Sequence, residues 1–520
     1  MSESLPSFFG SSRFSLILTL VVLFGLGLGI RLYDLTDLPL DFHPTRQLLS
    51  ALKARGMYYQ TAPNVPDWQR RMAIQQWKTK AEVEPEVFER LVAFTYRFTG
   101  ESLWVARVYS SLFWLAGGVF LFLLVRALVS IDGAVAATAY YLFLPYAVIA
   151  SRSFQPDPLM VMLILSFWWA VMRWATPLRL PPFSEKMGGG KEGGWSWAIL
   201  AGLLGGFAIF VKFVAVFFVV GAALGAALGR FSPRDLVRKR QLWVMALLGI
   251  LPAAAYLFYG IVLNGFLGQQ FNGRFIPSLL LSPLNYVQWA TKANMAAGGL
   301  AIMLGLLGSF FARERSARIF IYGLWGAYLL FGLYFDYHVA THDYYHLPLI
   351  PIVAVSIAPL ADRGLSQLAG LATNRWMYGL ACGILIYGLL AVVWDVRNQL
   401  KSVDYRPEAG MWAKIGDQLG HGSGVVALTQ DYGSRLAYWG WQNAAIWPSS
   451  GDIDYHEARG ATFDPKSDFA KLTRDKALFL VTDFDELDRQ PELKEELAGF
   501  ALHVQGDGYV IFDLQQPHTP

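Results

Sequence analysis

The sequence predicts an all-α polytopic membrane protein of about 11 transmembrane helices, followed by a C-terminal α/β domain, and three observations carry that expectation. Of the 520 residues, 54% are hydrophobic and only 16% are charged, where an ordinary soluble domain carries about 25% charged. Apolar runs of about 20 residues recur, each long enough to cross roughly 30 Å of hydrocarbon. Both features stop near residue 397. The tail beyond it holds 11 Lys and Arg against 19 Asp and Glu, a net −8, whereas residues 1–397 hold 32 against 20, a net +12. Nucleic-acid binding and cytosolic metabolism drop out as leading ideas. The single cysteine, Cys382, lies inside an apolar run, so disulfides, CxxC redox motifs and thiolate zinc sites are excluded.

Apolar helices are expected at about 14–32, 103–127, 131–150, 158–175, 196–211, 213–229, 242–263, 295–311, 319–336, 347–361 and 376–396. The first run is too long for a secretory signal, and Arg31-Leu32-Tyr33-Asp34 offers no small-residue cleavage site, so it reads as an anchor. With the N-terminus cytoplasmic, inner short loops hold 16 Lys and Arg, among them Arg234, Arg238, Lys239 and Arg240. Outer short loops hold only Arg152, Lys212, Arg274 and Lys292, a bias that satisfies the positive-inside rule. Eleven crossings then put the acidic tail outside the cytoplasm.

Two domains follow from this reading: residues 1–397 across the membrane, including a long first outer loop at 33–102, and residues 398–520 as an extracytoplasmic α/β domain. Within the loop, Thr45 to Gln60 and Glu84 to Phe98 mix apolar residues with charge at helical spacing, the pattern of surface-lying helices. In the tail, Val425-Val426-Ala427-Leu428 and Ala477-Leu478-Phe479-Leu480-Val481 read as short strands. The stretch Gly188 to Gly194 lacks the Ser or Thr after its lysine that a phosphate-binding loop needs, and reads as a flexible cytoplasmic linker.

Ionisable groups beside membrane spans are costly, so those at the outer face are the informative ones. Asp41 stands in Leu38-Pro39-Leu40-Asp41-Phe42-His43-Pro44-Thr45-Arg46, directly after the first span. On spacing alone it serves equally as a helix cap, yet His43 and Arg46 beside it suit a place where an anionic group is held near a base. Asp157, in Gln155-Pro156-Asp157-Pro158, is pinned between two spans by prolines, with a capping role as the alternative. Lys212 is the only charge in roughly 30 residues of apolar sequence and marks the turn of a helical hairpin; it either neutralises a lipid phosphate or snorkels. The loop Tyr334 to Pro348 holds three of the eight histidines, His338, His342 and His346, at a spacing of four. That spacing admits a metal site on one helical face, although an aromatic belt with hydrogen-bonding histidines accounts for it as well.

Taken in order, the first-loop acid Asp41, the acid of Gln155-Pro156-Asp157-Pro158, the hairpin lysine Lys212 and the His-x-Tyr-Tyr-x-x-Pro-Leu stretch from His342 to Leu349 resemble the GT-C superfamily of polytopic glycosyltransferases. That group contains the protein O-mannosyltransferases and the aminoarabinose transferase of lipid A. The resemblance covers residues 1 to about 361. It implies transfer of a sugar from a polyprenyl-phosphate donor to an extracytoplasmic acceptor, whether lipid, glycan or protein, with inversion at the anomeric carbon. Asp41 would be the catalytic base, and Lys212 and Arg46 the phosphate-side cations. Asp157 would orient the acceptor or His43, and His342, Tyr344 and Tyr345 would contact phosphate or sugar. The family commonly places Asp-Glu or Asp-Asp in the first loop, where here Phe42 and His43 follow Asp41. A divalent metal therefore stays open as a cofactor without a second first-loop acid to hold it.

Two other classes share many spans. A transporter or flippase places charges near mid-membrane and shows inverted repeats, whereas here the acids gather at one face. An accessory subunit that kept the fold without activity is the other. No Asn-x-Ser/Thr sequon occurs, which favours a bacterial plasma membrane over the endoplasmic reticulum.

Overall fold

The computed structural model describes residues 6–80, 84–176, 193–268, 275–371, 374–422, 424–458 and 460–517. Residues 188–192 of the expected glycine-rich linker and Arg274 lie outside these segments. The chain forms two compact units, one from Met1–Leu35, Ala81–Phe88 and Trp104–Ser402, the other from Thr36–Lys80, Glu89–Leu103 and Val403–Pro520.

In the first unit, all eleven expected spans fall on helices. Among the described residues, eight of these helices are long and apolar enough to cross a bilayer uninterrupted, from Arg13–Leu32 to Arg375–Leu400. The other three depart from a plain rod for identifiable reasons. The span expected at 131–150 is two helices, Ile131–Phe143 and Pro145–Ala150, because Pro145 has no backbone donor to continue the first and is preorganised as the opening residue of the second. The span expected at 295–311 is the second arm of a pair, Pro283–Ala297 and Gly299–Phe310, bent by 90°. Gly298 sits at the bend with φ 77°, a left-handed conformation that a side chain would strain. The third, Ala215–Arg230, has 16 residues.

That short helix packs closely on Arg315–Tyr334. A Cβ at Gly221 would meet Ala327 and the Gly323 carbonyl, and one at Gly225 would meet Phe320 backbone within 3.1 Å. Glycines spaced by four thus let two backbones touch, which is how membrane helices associate where burial of apolar surface offers no gain. By contrast, Leu380, Ile384 and Tyr387 on Arg375–Leu400 remain exposed, as expected of a helix facing hydrocarbon.

The second unit is built around a five-stranded sheet. Its strands are β1 (Val425–Leu428), β2 (Ala445–Ile446), β3 (Leu478–Val481), β4 (Phe500–Gly506) and β5 (Tyr509–Pro517), in the order β2-β1-β3-β5-β4. β1 runs parallel to both β2 and β3, and β4 and β5 form an antiparallel hairpin. All four residues of β1 are buried, as a parallel strand covered on both faces requires. Val426 and Leu428 pack with Trp447, Phe469 and Phe479, while Val425 and Ala427 pack with Trp412, Ile415 and Leu436.

Three first-loop helices accompany this unit: Pro44–Tyr59, Asp67–Thr79 and Val87–Thr99. The outer two are helical where helices were expected, but Pro44–Tyr59 is largely buried, from Gln47 to Gly56, rather than lying on a surface; the middle one was not expected. Arg55 on the first is nearly fully buried, its guanidinium lying 4.0 Å from the Tyr438 ring centroid and 4.2 Å from that of Trp441. It donates to the Tyr438 carbonyl at 2.7 Å and lies 3.7 Å from Glu101. A planar, weakly hydrated cation stacked between rings is a task for Arg rather than Lys.

Candidate active site

In the first unit the hairpin between Gly193–Val211 and Ala215–Arg230 is closed by Lys212, whose backbone N–H still donates to Ala208 at 3.1 Å and whose carbonyl accepts from Ala215. Its side chain reaches the start of Asp157–Ala175. The ammonium donates to both Asp157 oxygens at 2.9 Å, and the two side chains are 5% and 2% exposed. Asp157 occupies the first helical turn, where its charge also meets the positive end of the helix dipole. The rings of Tyr344 and Tyr345 lie 5.1 and 5.5 Å from the ammonium, within cation–π range. His342 packs against both, at 5.6 and 6.0 Å between ring centroids. The structure therefore gathers Asp157, Lys212, Tyr344, Tyr345 and His342 in one cluster. Tyr146 joins it, its hydroxyl in the field of Asp343 and Asp157; no sequence pattern singled out either Tyr146 or Asp343.

The three histidines do not form a metal site. His338 and His342 stack at 6.0 Å, but His346 is fully buried with both ring nitrogens occupied, Nδ1 against the Tyr328 hydroxyl at 2.7 Å and Nε2 against the Val339 carbonyl at 2.9 Å. Among the described residues no group of three His, Cys, Asp or Glu is arranged to hold a metal ion.

Asp41, His43 and Arg46 belong to the second unit. His43 takes the left-handed conformation, φ 44° and ψ 68°, and opens the helix whose first residue is Pro44. A non-glycine residue held there costs of order 1–3 kcal/mol, and such strain concentrates at functional turns. Gln47, buried one turn into the helix, ties the turn together: its amide donates to the Phe42 carbonyl at 2.6 Å and reaches the Asp41 carboxylate at 3.4 Å. Asp41 itself is partly exposed. Burial and the nearby Asp41 carboxylate push the Tyr405 hydroxyl above its usual range. Thr45 donates to Asp431 at 3.3 Å, and Asp431 in turn pairs with Arg435 at 2.6 Å. Arg435 also binds Glu408 at 2.7 Å; it is desolvated, yet these two carboxylates hold its pKa above the ordinary value. Tyr405, Asp431 and Arg435 were not legible as neighbours of Asp41, because tail and loop residues more than 360 apart carry no joint sequence signal.

A bundle of apolar helices with a discontinuous pair, joined in one chain to an α/β unit, has counterparts among solved membrane proteins. Residues 83–259, which include Asp157 and Lys212, match the family model of dolichyl-phosphate-mannose-protein mannosyltransferases. Two solved structures share the fold along almost the whole chain. ArnT from Cupriavidus metallidurans, solved bound to undecaprenyl phosphate, has 14% identity and a TM-score of 0.57, covering 96% of this chain and 97% of its own. The oligosaccharyltransferase AglB from Archaeoglobus fulgidus, solved with an inhibitory peptide and a dolichol-phosphate, has 10% identity and a TM-score of 0.54, covering 96% and 74%. No curated protein matches the chain significantly in sequence.

Proposed function

We propose that the chain is a multi-pass membrane glycosyltransferase that moves a hexosyl or pentosyl unit from a polyprenyl-phosphate donor to an extracytoplasmic lipid, glycan or protein, with inversion. The observation that supports this reading most is the Asp157–Lys212 pair beneath Tyr344 and Tyr345. A cation and carboxylate kept in a dry, apolar bundle mark a functional site, and aromatic faces over an ammonium suit a place where a sugar phosphate approaches. The relatives solved with undecaprenyl phosphate and dolichol-phosphate support a lipid-linked donor.

In the proposed step the Asp41 carboxylate takes the proton of an acceptor hydroxyl or amine as its oxygen or nitrogen bonds to the anomeric carbon. The bond from that carbon to the phosphate oxygen breaks on the opposite face, and its electron pair leaves with the polyprenyl phosphate. Lys212 and Arg46 stabilise the departing charge without a metal, while Asp157 holds the Lys212 ammonium in place. His43, His342, Tyr344 and Tyr345 contact sugar or phosphate. The bacterial plasma membrane is the proposed location, with the tail outside the cytoplasm.

Mass spectrometry of lipids and envelope glycans from cells with and without the gene tests this reading. The expected result is a product lighter by one sugar when the gene is absent, matched by release of polyprenyl phosphate when purified chain is given donor and cell-envelope extract. Unchanged lipids and glycans, with no donor consumed, overturn it.

A further inference from the structure

The helix Asp67–Thr79 buries one face and leaves another over a cavity. Ala73, Gln76 and Trp77 are buried, and the Gln76 amide donates to the carbonyls of Ala437 at 2.8 Å and Gln442 at 3.3 Å. On a different face Trp68, Arg71, Met72 and Gln75 follow the i, i+3, i+4, i+7 spacing and so share one stripe. The stripe leaves an indole, Trp68, 39% exposed. With Gly420 and His421 the stripe lines a cavity of about 520 Å³, inside the range of roughly 300–1,000 Å³ usual for small-ligand sites.

The aromatic rings at the cavity are packed on one another. The Trp68 ring stacks on the His421 imidazole at 4.8 Å and 25°, and stands edge-on to Trp441 at 5.8 Å. Both His421 and Trp441 are held in the left-handed region, φ 54° and 51°, a conformation that large side chains adopt only where surrounding contacts impose it. The contacts are present: the His421 ring nitrogens lie 3.1 Å from the Gly440 carbonyl and 3.1 Å from the Asp417 carboxylate, and Trp441 carries the Arg55 guanidinium on its face at 4.2 Å.

We infer that this cavity binds a saccharide. A pyranose ring has a face of C–H groups that packs on a flat aromatic ring, and a rim of hydroxyls that needs donors and acceptors side by side. Trp68 supplies the flat surface; the Arg71 fork supplies donors, and the Gln75 amide a donor next to an acceptor. Burying the cavity in lipid would desolvate the Arg71 guanidinium and the Gln75 amide that line it. The second unit that holds the cavity carries 19 Lys and Arg against 24 Asp and Glu, a net acidic balance that disfavours a polyanionic ligand. A neutral glycan is the ligand class that satisfies both kinds of surface. This inference is independent of sugar transfer, since occupancy of the cavity is read without any turnover.

The test is calorimetric titration of the detergent-solubilised full chain with neutral oligosaccharides of glucose, mannose, galactose and N-acetylglucosamine. At least one series is expected to bind. Trp68→Ala should weaken that binding roughly tenfold, the loss of one stacking contact, and Arg71→Ala should weaken it severalfold, with both variants still monodisperse. The inference is overturned if none of the four series binds, or if both variants bind as wild type does. Nanodisc experiments add a further arm: quenching by brominated lipid that disappears in Trp68→Phe would mark the cavity as a bilayer contact and overturn it too.

Discussion

The Lys212 ammonium lies 2.9 Å from both oxygens of the Asp157 carboxylate, and neither side chain is more than 5% exposed. Two residues that read from sequence as separate candidates are thus one electrostatic unit. A lone snorkelling lysine is dispensable to the fold; a lysine that neutralises a buried carboxylate is not. Breaking such a pair by removing one partner costs about 3–5 kcal/mol, because the other charge stays buried.

Lys212→Ala is therefore expected to lower both the thermal midpoint of the solubilised protein and its use of donor. The double variant Asp157→Leu with Lys212→Met removes both charges at similar volume, and should regain much of the lost stability while staying inactive. Thermal unfolding in detergent, run beside donor turnover, separates the two effects. A stable, active Lys212→Ala protein would return the residue to a snorkelling role.

Asp41→Asn keeps shape and hydrogen bonding but cannot take a proton as a carboxylate does. Turnover should fall by about 10² to 10⁴, the usual worth of general-base help, with donor binding and monodispersity retained. If more than about a tenth of the wild-type turnover survives, below that range, Asp41 is structural and Asp157 becomes the next carboxylate to examine.

The charge bias of the short loops predicts that the segment from Arg230 to Gln241 is cytoplasmic and the tail from Lys401 to Pro520 is not. Cysteines introduced in each, with Cys382 replaced by Ser, should react with an impermeant maleimide on intact cells only in the tail. Labelling of the 230–241 segment from outside would invert the topology.

Glu486 gives the second unit a pH dependence. Burial alone would raise its carboxyl pKa, but the Ser450 hydroxyl and N–H, the latter at 2.5 Å, the Gln490 amide at 2.7 Å and the Arg489 charge hold it below the usual range. A depressed acid stabilises the fold above its unfolded value of about 4.3 and loses that contribution as pH falls through the folded value. Hydrogen exchange across Ser450 to Gln490 should therefore differ most between wild type and Glu486→Gln near pH 7, and the difference should shrink as the pH falls through the folded value. A constant difference across that range would show that Glu486 acts by shape alone.

The bundle was readable from sequence because each span announces itself: a run of apolar residues is a local property, and Lys212 stands out against such a run. The strands β1 and β3 were readable for the same reason. The hairpin β4–β5 was missed although Asp507-Gly508 marks its turn, with Gly508 at φ 76°; Gln505, Asp507 and the polar end of β5 blur the alternation that strands show. The Asp67–Thr79 helix was missed because its open face carries Trp68 and Met72 while its buried face includes Gln76, which inverts the polarity that amphipathic patterns rely on. The Asp157–Lys212 pair joins residues 55 apart, and the Thr45–Asp431 contact joins residues 386 apart; only the folded chain brings either together.

The second unit draws on Thr36–Lys80, Glu89–Leu103 and Val403–Pro520, and this has a consequence in time. A ribosome adding about 5–20 residues per second needs roughly 15–65 s to travel from Lys80 to Val403. Throughout that interval Arg55 lacks the carbonyl of Tyr438 and the rings that will enclose it, and the first loop has no sheet to rest on. The loop must wait, already delivered to its side of the membrane, until the last span has been inserted and the tail arrives. Assembly of this unit thus follows synthesis of the bundle, and a chain that stalls or is cut before residue 403 leaves its first-loop helices without their partner.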